Sequence, residues 1–301
     1  MNLINYKSRN IYKTWLFFAG FLVFVIFIGW FFAGIYANPS ILYFAIIFSV
    51  LMNIIAYWFS DKIVLKMARA APIEKKDNPE FYNIVENLCI VAGLPMPKIY
   101  LIKEKQPNAF ATGRNQKHAA VAVTEGLLEK LDKRELEGVI SHELSHINNR
   151  DMLLSTAIVV LAGFISIISN WFLRSRLMGF GSQSGKREGN QIQGILMIIG
   201  IVLAILAPIA ALLIRLAISR KREFLADADG ALLTRYPEGL ASALEKISSD
   251  PTPMRVTNDA TSSLFIDSPY KGKQKTHWFA KLFMTHPPIE ERIHALRDME
   301  V

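Results

Sequence analysis

The chain has a single cysteine, Cys89, in 301 residues. One thiol excludes a disulfide framework and any zinc site built mainly on thiolates. Acidic residues are the minority charge, 26 against 34 lysines and arginines, for a net charge of +8. Such a surplus admits nucleic acid, a membrane surface or the flanks of membrane spans, and only its distribution separates them. A hydrophobic share of 51% excludes intrinsic disorder.

Charge is also missing in blocks. Trp15–Ala37 is 23 residues without one, and Ile41–Phe59 a further 19 in which only Asn53 is strongly polar. Met152–Leu173 adds 22 and Ile195–Ile214 adds 20. About 20 helical residues cross a hydrocarbon core of ~30 Å. Core helices of soluble proteins rarely stay free of charge for five turns, so four transmembrane helices are expected. Pro208 in the fourth is tolerable where neighbouring helices absorb a kink. The first run exceeds a signal-peptide core and a second follows after Asn38-Pro39-Ser40, so a retained hairpin is expected.

The basic residues flank these runs. Lys7, Arg9 and Lys13 precede the first. Lys62, Lys66, Arg69, Lys75 and Lys76 follow the second, and Arg215, Arg220, Lys221 and Arg222 follow the fourth. With four crossings all lie on one side, which is then the cytoplasm, and nucleic acid is not needed to explain the charge. Residues 174–194 run against the pattern, because they hold Arg174, Arg176, Lys186 and Arg187.

Between the apolar blocks the composition is mixed. Asn78-Pro79-Glu80 opens a helix over Phe81–Ala92 that ends at Gly93. Ile99–Ile102 and Ala119–Thr124 read as short strands, with an extended Asn108–Gly113 between them. Lys133–Asn148 reads as a helix leading almost directly into the third run, and 248–276 as a long polar loop.

His142-Glu143-Leu144-Ser145-His146 lies in that helix. Histidines four apart differ by ~40° and about 6 Å of rise, so both rings can meet one metal. Glu143 between them fits the general base of a zinc peptidase. Leu136, Val139, Ile140 and Leu144 supply an opposing apolar face. A catalytic zinc needs a third ligand and an open position. His118, His277, His286, His294 and downstream carboxylates are candidates. Asn149 and Met152 occupy the places where a metzincin carries Gly and His, which excludes that class. Glu223 is the better candidate, because Glu223-Phe-Leu-Ala-Asp227 puts two carboxylates on one helix face. Asp227 then accepts a hydrogen bond from a ligand histidine's second nitrogen. If both helices continue out of the bilayer, an even number of crossings brings the ligands together just above the membrane.

His142-Glu-Leu-Ser-His146-Ile-Asn-Asn149-Arg150-Asp151, Glu223-Phe-Leu-Ala-Asp227 and His286-Pro-Pro-Ile-Glu-Glu-Arg292-Ile together resemble the HtpX family. These are heat-shock zinc endopeptidases of the bacterial inner membrane, related to the CAAX prenyl proteases. The resemblance extends through Asn108–Gly113, Val121–Leu128 and both hairpins. It implies one Zn2+ held by His142, His146 and Glu223, with Glu143 as the catalytic carboxylate. It implies a predominantly α membrane protein, with four transmembrane helices and a cytoplasmic α+β zincin-like (gluzincin) metalloprotease domain carrying a small sheet. The expected divisions are a hairpin over 1–60, a first protease part over 61–151, a second hairpin over 152–214 and a second protease part over 215–301. Termini and active site are expected in the cytoplasm. The expected partners are the lipid bilayer and misfolded, damaged or unfolded polypeptides, with functional links to other membrane proteases and no nucleic acid.

Finer roles follow as expectations. Asp227 and Asn149 are candidates to orient the ligands, and His286 and Arg292 to stabilise the oxyanion. Ala119–Thr124 or Asn108–Thr112 is expected to pair with an extended substrate. Three other readings compete. An intramembrane protease would bury the motif in an apolar span, whereas Lys133, Arg134, Glu135 and Glu137 surround it. A zinc-binding scaffold or chaperone would fill four protein positions. A prenyl-protein processing peptidase shares the chemistry and differs only in substrate. A transporter lacks the charged residues its spans would need.

Overall fold

A computed structural model describes residues 3–161, 163, 220–255, 261–269, 271 and 287–300. Half of the third apolar run, the whole fourth, the 174–194 loop, His277 and His286 lie outside these residues.

Helices α1 (Leu3–Ile35) and α2 (Ser40–Trp58) form the N-terminal hairpin. Both are long and apolar enough to cross a membrane, and only 17% and 22% of their most apolar windows are buried. Trp15, Phe27, Trp30, Phe44 and Ile47 are all more than half exposed. A water-soluble core helix buries such a surface, whereas lipid covers it at no cost. Where the helices meet, Trp15 stacks on Tyr57 with ring centroids 5.7 Å apart. Asn53 donates to the Phe18 carbonyl at 3.0 Å.

Short α3 (Ser60–Met67) leads to β1 (Ala71–Pro72) and then to α4 (Pro79–Ala92). Asn78 caps α4 by accepting from the Phe81 N–H at 3.0 Å. Gly93 closes it at φ 65°, a left-handed conformation open to glycine without a Cβ clash. Strands β2 (Lys98–Ile102), β3 (Ala109–Gly113) and β4 (Ala119–Thr124) complete a sheet of order β1-β2-β4-β3. β4 runs parallel to β2 and antiparallel to β3, with Phe110 opposite Ala122.

Every residue of β3 and β4 is buried, because both faces of the sheet are covered. Alternate side chains divide between two cores, as strand periodicity requires. Ala109, Ala111, Val121 and Val123 pack into the core that also holds Leu88, Val139, Ile140 and Leu244. Phe110, Ala120 and Ala122 pack with Val64, Phe265 and Val159 on the other face. Phe110 and Phe265 meet edge to face, with centroids 5.1 Å apart.

After α5 (Glu125–Lys130), α6 (Lys133–Asn149) opens with a capping box. Asp132 accepts from the Arg134 and Glu135 N–H groups, and Glu135 reaches back to the Asp132 N–H at 2.9 Å. Glu135 also accepts from Ser242 at 2.6 Å and Lys246 at 2.7 Å, tying this end to α9 (Pro237–Ser249). The helix does not continue into the third apolar run. It stops at Asn149, Arg150 takes φ 56°, and a new helix α7 begins at Met152. This end lies one residue beyond the expected Lys133–Asn148. The described part of that run, Met152–Leu161, is also largely buried in protein. Its Val159 and Val160 lie under the sheet, and Ala157 and Leu161 pack on Phe18, Met52 and Ala56 of the hairpin.

α8 (Arg220–Thr234), α9 and α10 (Ile289–Arg297) pack around α6 and one another. Two glycines permit the approach. A Cβ on Gly138 would stand 2.6 Å from the Leu240 nitrogen, and one on Gly230 would stand 3.0 Å from the His142 nitrogen. Gly230 therefore sets how closely α8 comes to the middle of α6. Within 248–276, Ser248 and Ser249 end α9, and the other described residues are irregular apart from a 3-10 turn at Thr261–Leu264.

Candidate metal centre

The 3.6-residue turn brings the two histidines of α6 onto one face, where their Nε2 atoms are 3.1 Å apart. Both Nδ1 atoms are already engaged. His142 Nδ1 lies 2.8 Å from Asp227 Oδ1, and His146 Nδ1 lies 3.1 Å from Asp151 Oδ2. Donating to these carboxylates orients both rings and turns each Nε2 toward the other. From α8, Glu223 brings Oε1 to 3.8 Å from His146 Nε2 and Oε2 to 3.9 Å from His142 Nε2. The three donor atoms lie within 4.8 Å of one another.

This donor set fits a zinc ion. Ligands 2.0–2.1 Å from a tetrahedral zinc stand roughly 3.4 Å apart, close to the separations here. Two imidazole Nε2 atoms facing each other over a carboxylate make a site for a positive charge between them. The electrostatics agree. Burial alone would lower the His146 pKa, yet Asp151, Glu223 and Glu143 push it up to about 10. The cavity favours a cation.

Glu143 is buried beside the ligands and accepts from the Ala111 N–H of β3. Burial, reinforced by Glu223, raises its carboxyl pKa, while His142 and His146 pull the other way. A raised carboxylate pKa suits a group that must both take and return a proton. The cleft above is lined by Ala111, Glu143, His146, Arg222, Glu223 and Leu264, among others.

Arg292 comes from α10 and is fully buried. Its Nε and Nη2 donate to the two oxygens of Asp227 at 2.8 and 2.7 Å, and its Nη1 lies 3.9 Å from Glu223 Oε2. Burial opposes the Asp227 charge, but Arg292 and His142 hold its carboxyl down to about 2. The guanidinium thus faces the back of the metal ligands, and Arg292 is not among the residues lining the cleft. Its environment suits a positioning role better than the oxyanion role expected from the sequence.

Other expected residues fall elsewhere. Asn149 donates to Asp229 at 2.8 Å rather than to a ligating ring. The carboxylate on His146 is Asp151, which was not among the expected site residues and reaches the ring through the left-handed turn at Arg150. His118 is exposed and bonds to Asn115, and His294 is exposed and pairs with Asp298. Neither joins the cluster. β4 has both edges paired, to β2 and β3, so it has no free edge for a substrate. β3 is one of the two outer strands, with β1, and Ile266 already donates to its Ala109 carbonyl at 3.0 Å.

Comparison with known proteins agrees with this geometry. The model of "Peptidase family M48" matches residues 75–300. A "Protease HtpX homolog" of Thermoanaerobacter pseudethanolicus is 47% identical over 299 residues, covering 99% of this chain and 98% of the relative. One from Thermococcus sibiricus is 48% identical over 263 residues, covering 86% and 87%. Among solved structures, that of Ste24p from S. mikatae has a similar fold, with a TM-score of 0.50 at 19% identity. That likeness spans 96% of this chain and 64% of the Ste24p chain. The metal-binding helix, its matched length and these relatives converge: the chain belongs to peptidase family M48, with the HtpX protease homologues.

Proposed function

We propose that this membrane-bound metalloprotease is a zinc endopeptidase that cuts misfolded or damaged membrane proteins at the cytoplasmic face. The observation that carries the reading is the convergence of His142, His146 and Glu223 beside the buried carboxylate of Glu143. Zinc, when bound, supplies a Lewis acid for the scissile carbonyl and a more acidic attacking water. His142, His146 and Glu223 hold the metal. Asp227 and Asp151 accept from the Nδ1 side of the two imidazoles and hold both Nε2 atoms facing inward. Glu143 takes the proton of the attacking water and delivers it to the leaving amine.

Substrate is held through its main chain. The β3 edge beyond Ala109 runs along the cleft at Ala111, whose N–H donates to Glu143, and an extended polypeptide pairing with the remaining main-chain groups of that edge needs no particular side chains. Broad sequence tolerance suits a quality-control protease. The cytoplasmic assignment rests on α1. Lys7 donates to Asn148 at 2.7 Å and Asn10 donates to the Asn149 carbonyl at 3.0 Å, so the start of α1 and the end of α6 share one side of the bilayer. That side carries Lys7, Arg9 and Lys13.

The test is cleavage of an unfolded membrane protein in detergent by the zinc-loaded chain and by Glu143→Gln. The reading expects the variant to bind zinc and to lose at least about a thousandfold in kcat. Cleavage at the parent rate by a clean variant preparation removes Glu143 from the mechanism.

A further inference from the structure

Two arginines stand beside the metal ligands, and they differ in how their donors are used. Arg292 spends its donors on Asp227 and the Ile266 carbonyl, behind the ligands. Arg222, the residue before Glu223 on α8, is only 6% exposed and lines the cleft with Glu143, His146 and Glu223. Among the described residues, its Nη1 is buried without a hydrogen-bond partner. On α1, Lys13 feels the Arg222 charge, and a second cation does nothing to satisfy it.

A buried N–H of a group that stays charged at any working pH is costly to leave unpaired. Its persistence in a catalytic cleft marks a donor held for a ligand. Adjacent helical residues point about 100° apart, so Arg222 is fixed relative to the metal-holding Glu223 without competing for the ion. The charge that appears during peptide hydrolysis is negative and sits on the former carbonyl oxygen. Donors preorganised in a water-poor site stabilise such a charge most.

We propose that Arg222 is a catalytic residue, whose Nη1 donates to the scissile carbonyl oxygen as negative charge develops on it. This rests on the protease reading above. In the addition step the water oxygen bonds to the scissile carbon, Glu143 receives the released proton, and the carbonyl π electrons move onto the oxygen facing Arg222. In the collapse those electrons re-form the carbonyl and the C–N bond breaks. Glu143 returns its proton to the amine nitrogen. Arg222 keeps its own protons throughout. It therefore acts on kcat rather than on ground-state binding.

The experiment compares the zinc-loaded full chain with Arg222→Gln and Arg222→Lys on one quenched-fluorescence peptide, with zinc content measured alongside. Arg222→Gln is expected to lose about 100- to 1000-fold in kcat, with KM within about threefold and one zinc retained. Arg222→Lys, which keeps the charge, is expected to recover at least about tenfold of that loss. A Gln variant at parental kcat, a lysine no better than glutamine, or a loss falling on KM or zinc content overturns the assignment. If Arg222→Gln does not fold, Arg222→Lys is read against a phosphinic peptide that mimics the tetrahedral state. Its Ki should rise by the factor by which kcat/KM falls, and an unchanged Ki overturns the assignment. An active parent with an equally active Gln variant sinks only Arg222, whereas a silent, zinc-loaded parent sinks the protease reading with it.

Discussion

Arg292 and Asp227 form a two-pronged ion pair at 2.7 and 2.8 Å, and Asp227 in turn receives His142 Nδ1. The order matters. Arg292 keeps Asp227 ionised in a buried place, and only an ionised Asp227 can hold His142 in the tautomer that faces the metal. Asp227→Ala takes from buried Arg292 its two-pronged partner and leaves it only Glu223 at 3.9 Å and the Ile266 carbonyl. We expect a destabilisation of roughly 3–5 kcal/mol and a fall in zinc affinity of about 10- to 100-fold. Asp151→Ala removes a carboxylate from the less buried His146, so it should weaken zinc by about tenfold with a smaller stability loss. Thermal unfolding and zinc competition against a chromophoric chelator measure both. Equal zinc affinity in either variant removes that carboxylate from its positioning role.

The distance between the two ligand-bearing helices is set by Gly230. A valine there has to push α8 away from His142 and Ser141, and α8 carries Glu223 with it. Gly230→Val should cost about 1–3 kcal/mol in stability and lower zinc occupancy below one per chain. Metal analysis of the purified variant checks this, and full occupancy shows that the helices tolerate the shift.

Cys89 gives a pH signature remote from the metal. Burial, and then the neighbouring Glu86 carboxylate, push its thiol up to about 11 from an ordinary 9.0. The folded value lies above the unfolded one. Its contribution is therefore complete below about pH 9 and is lost as the pH rises toward 11. The parent should lose thermal stability over that window more steeply than Cys89→Ala, and alkylation at pH 8 should wait for unfolding. Identical pH slopes for the two proteins contradict this.

The site was legible where chemistry is local. Spacing alone puts His142 and His146 on one face, and the i, i+4 pair Glu223 and Asp227 reads the same way. Both hairpin helices and α4 were legible from apolar length and from the Asn78 and Gly93 caps. What was not legible depended on chain direction beyond a helix end. Arg150 turns left-handed and folds Asp151 back onto His146, and nothing in Asn-Asn-Arg-Asp requires that turn. Similarly, α9 escaped notice beside a polar loop, and its place is fixed by partners on α6 such as Glu135. The edge position of β3 is a matter of strand order, which alternation in Ala119–Thr124 does not encode. Arg292 and Arg222 look alike in the sequence, and only burial and partners separate their environments.

The most direct test strips the full chain of metal in detergent, adds zinc stepwise, and follows peptide cleavage and bound metal in the same samples. The account predicts that activity rises linearly to one zinc per chain, and that Glu223→Ala binds zinc at least about tenfold more weakly. Cleavage that persists in the stripped protein, or a Glu223→Ala variant that takes up zinc as tightly as the parent, would contradict it.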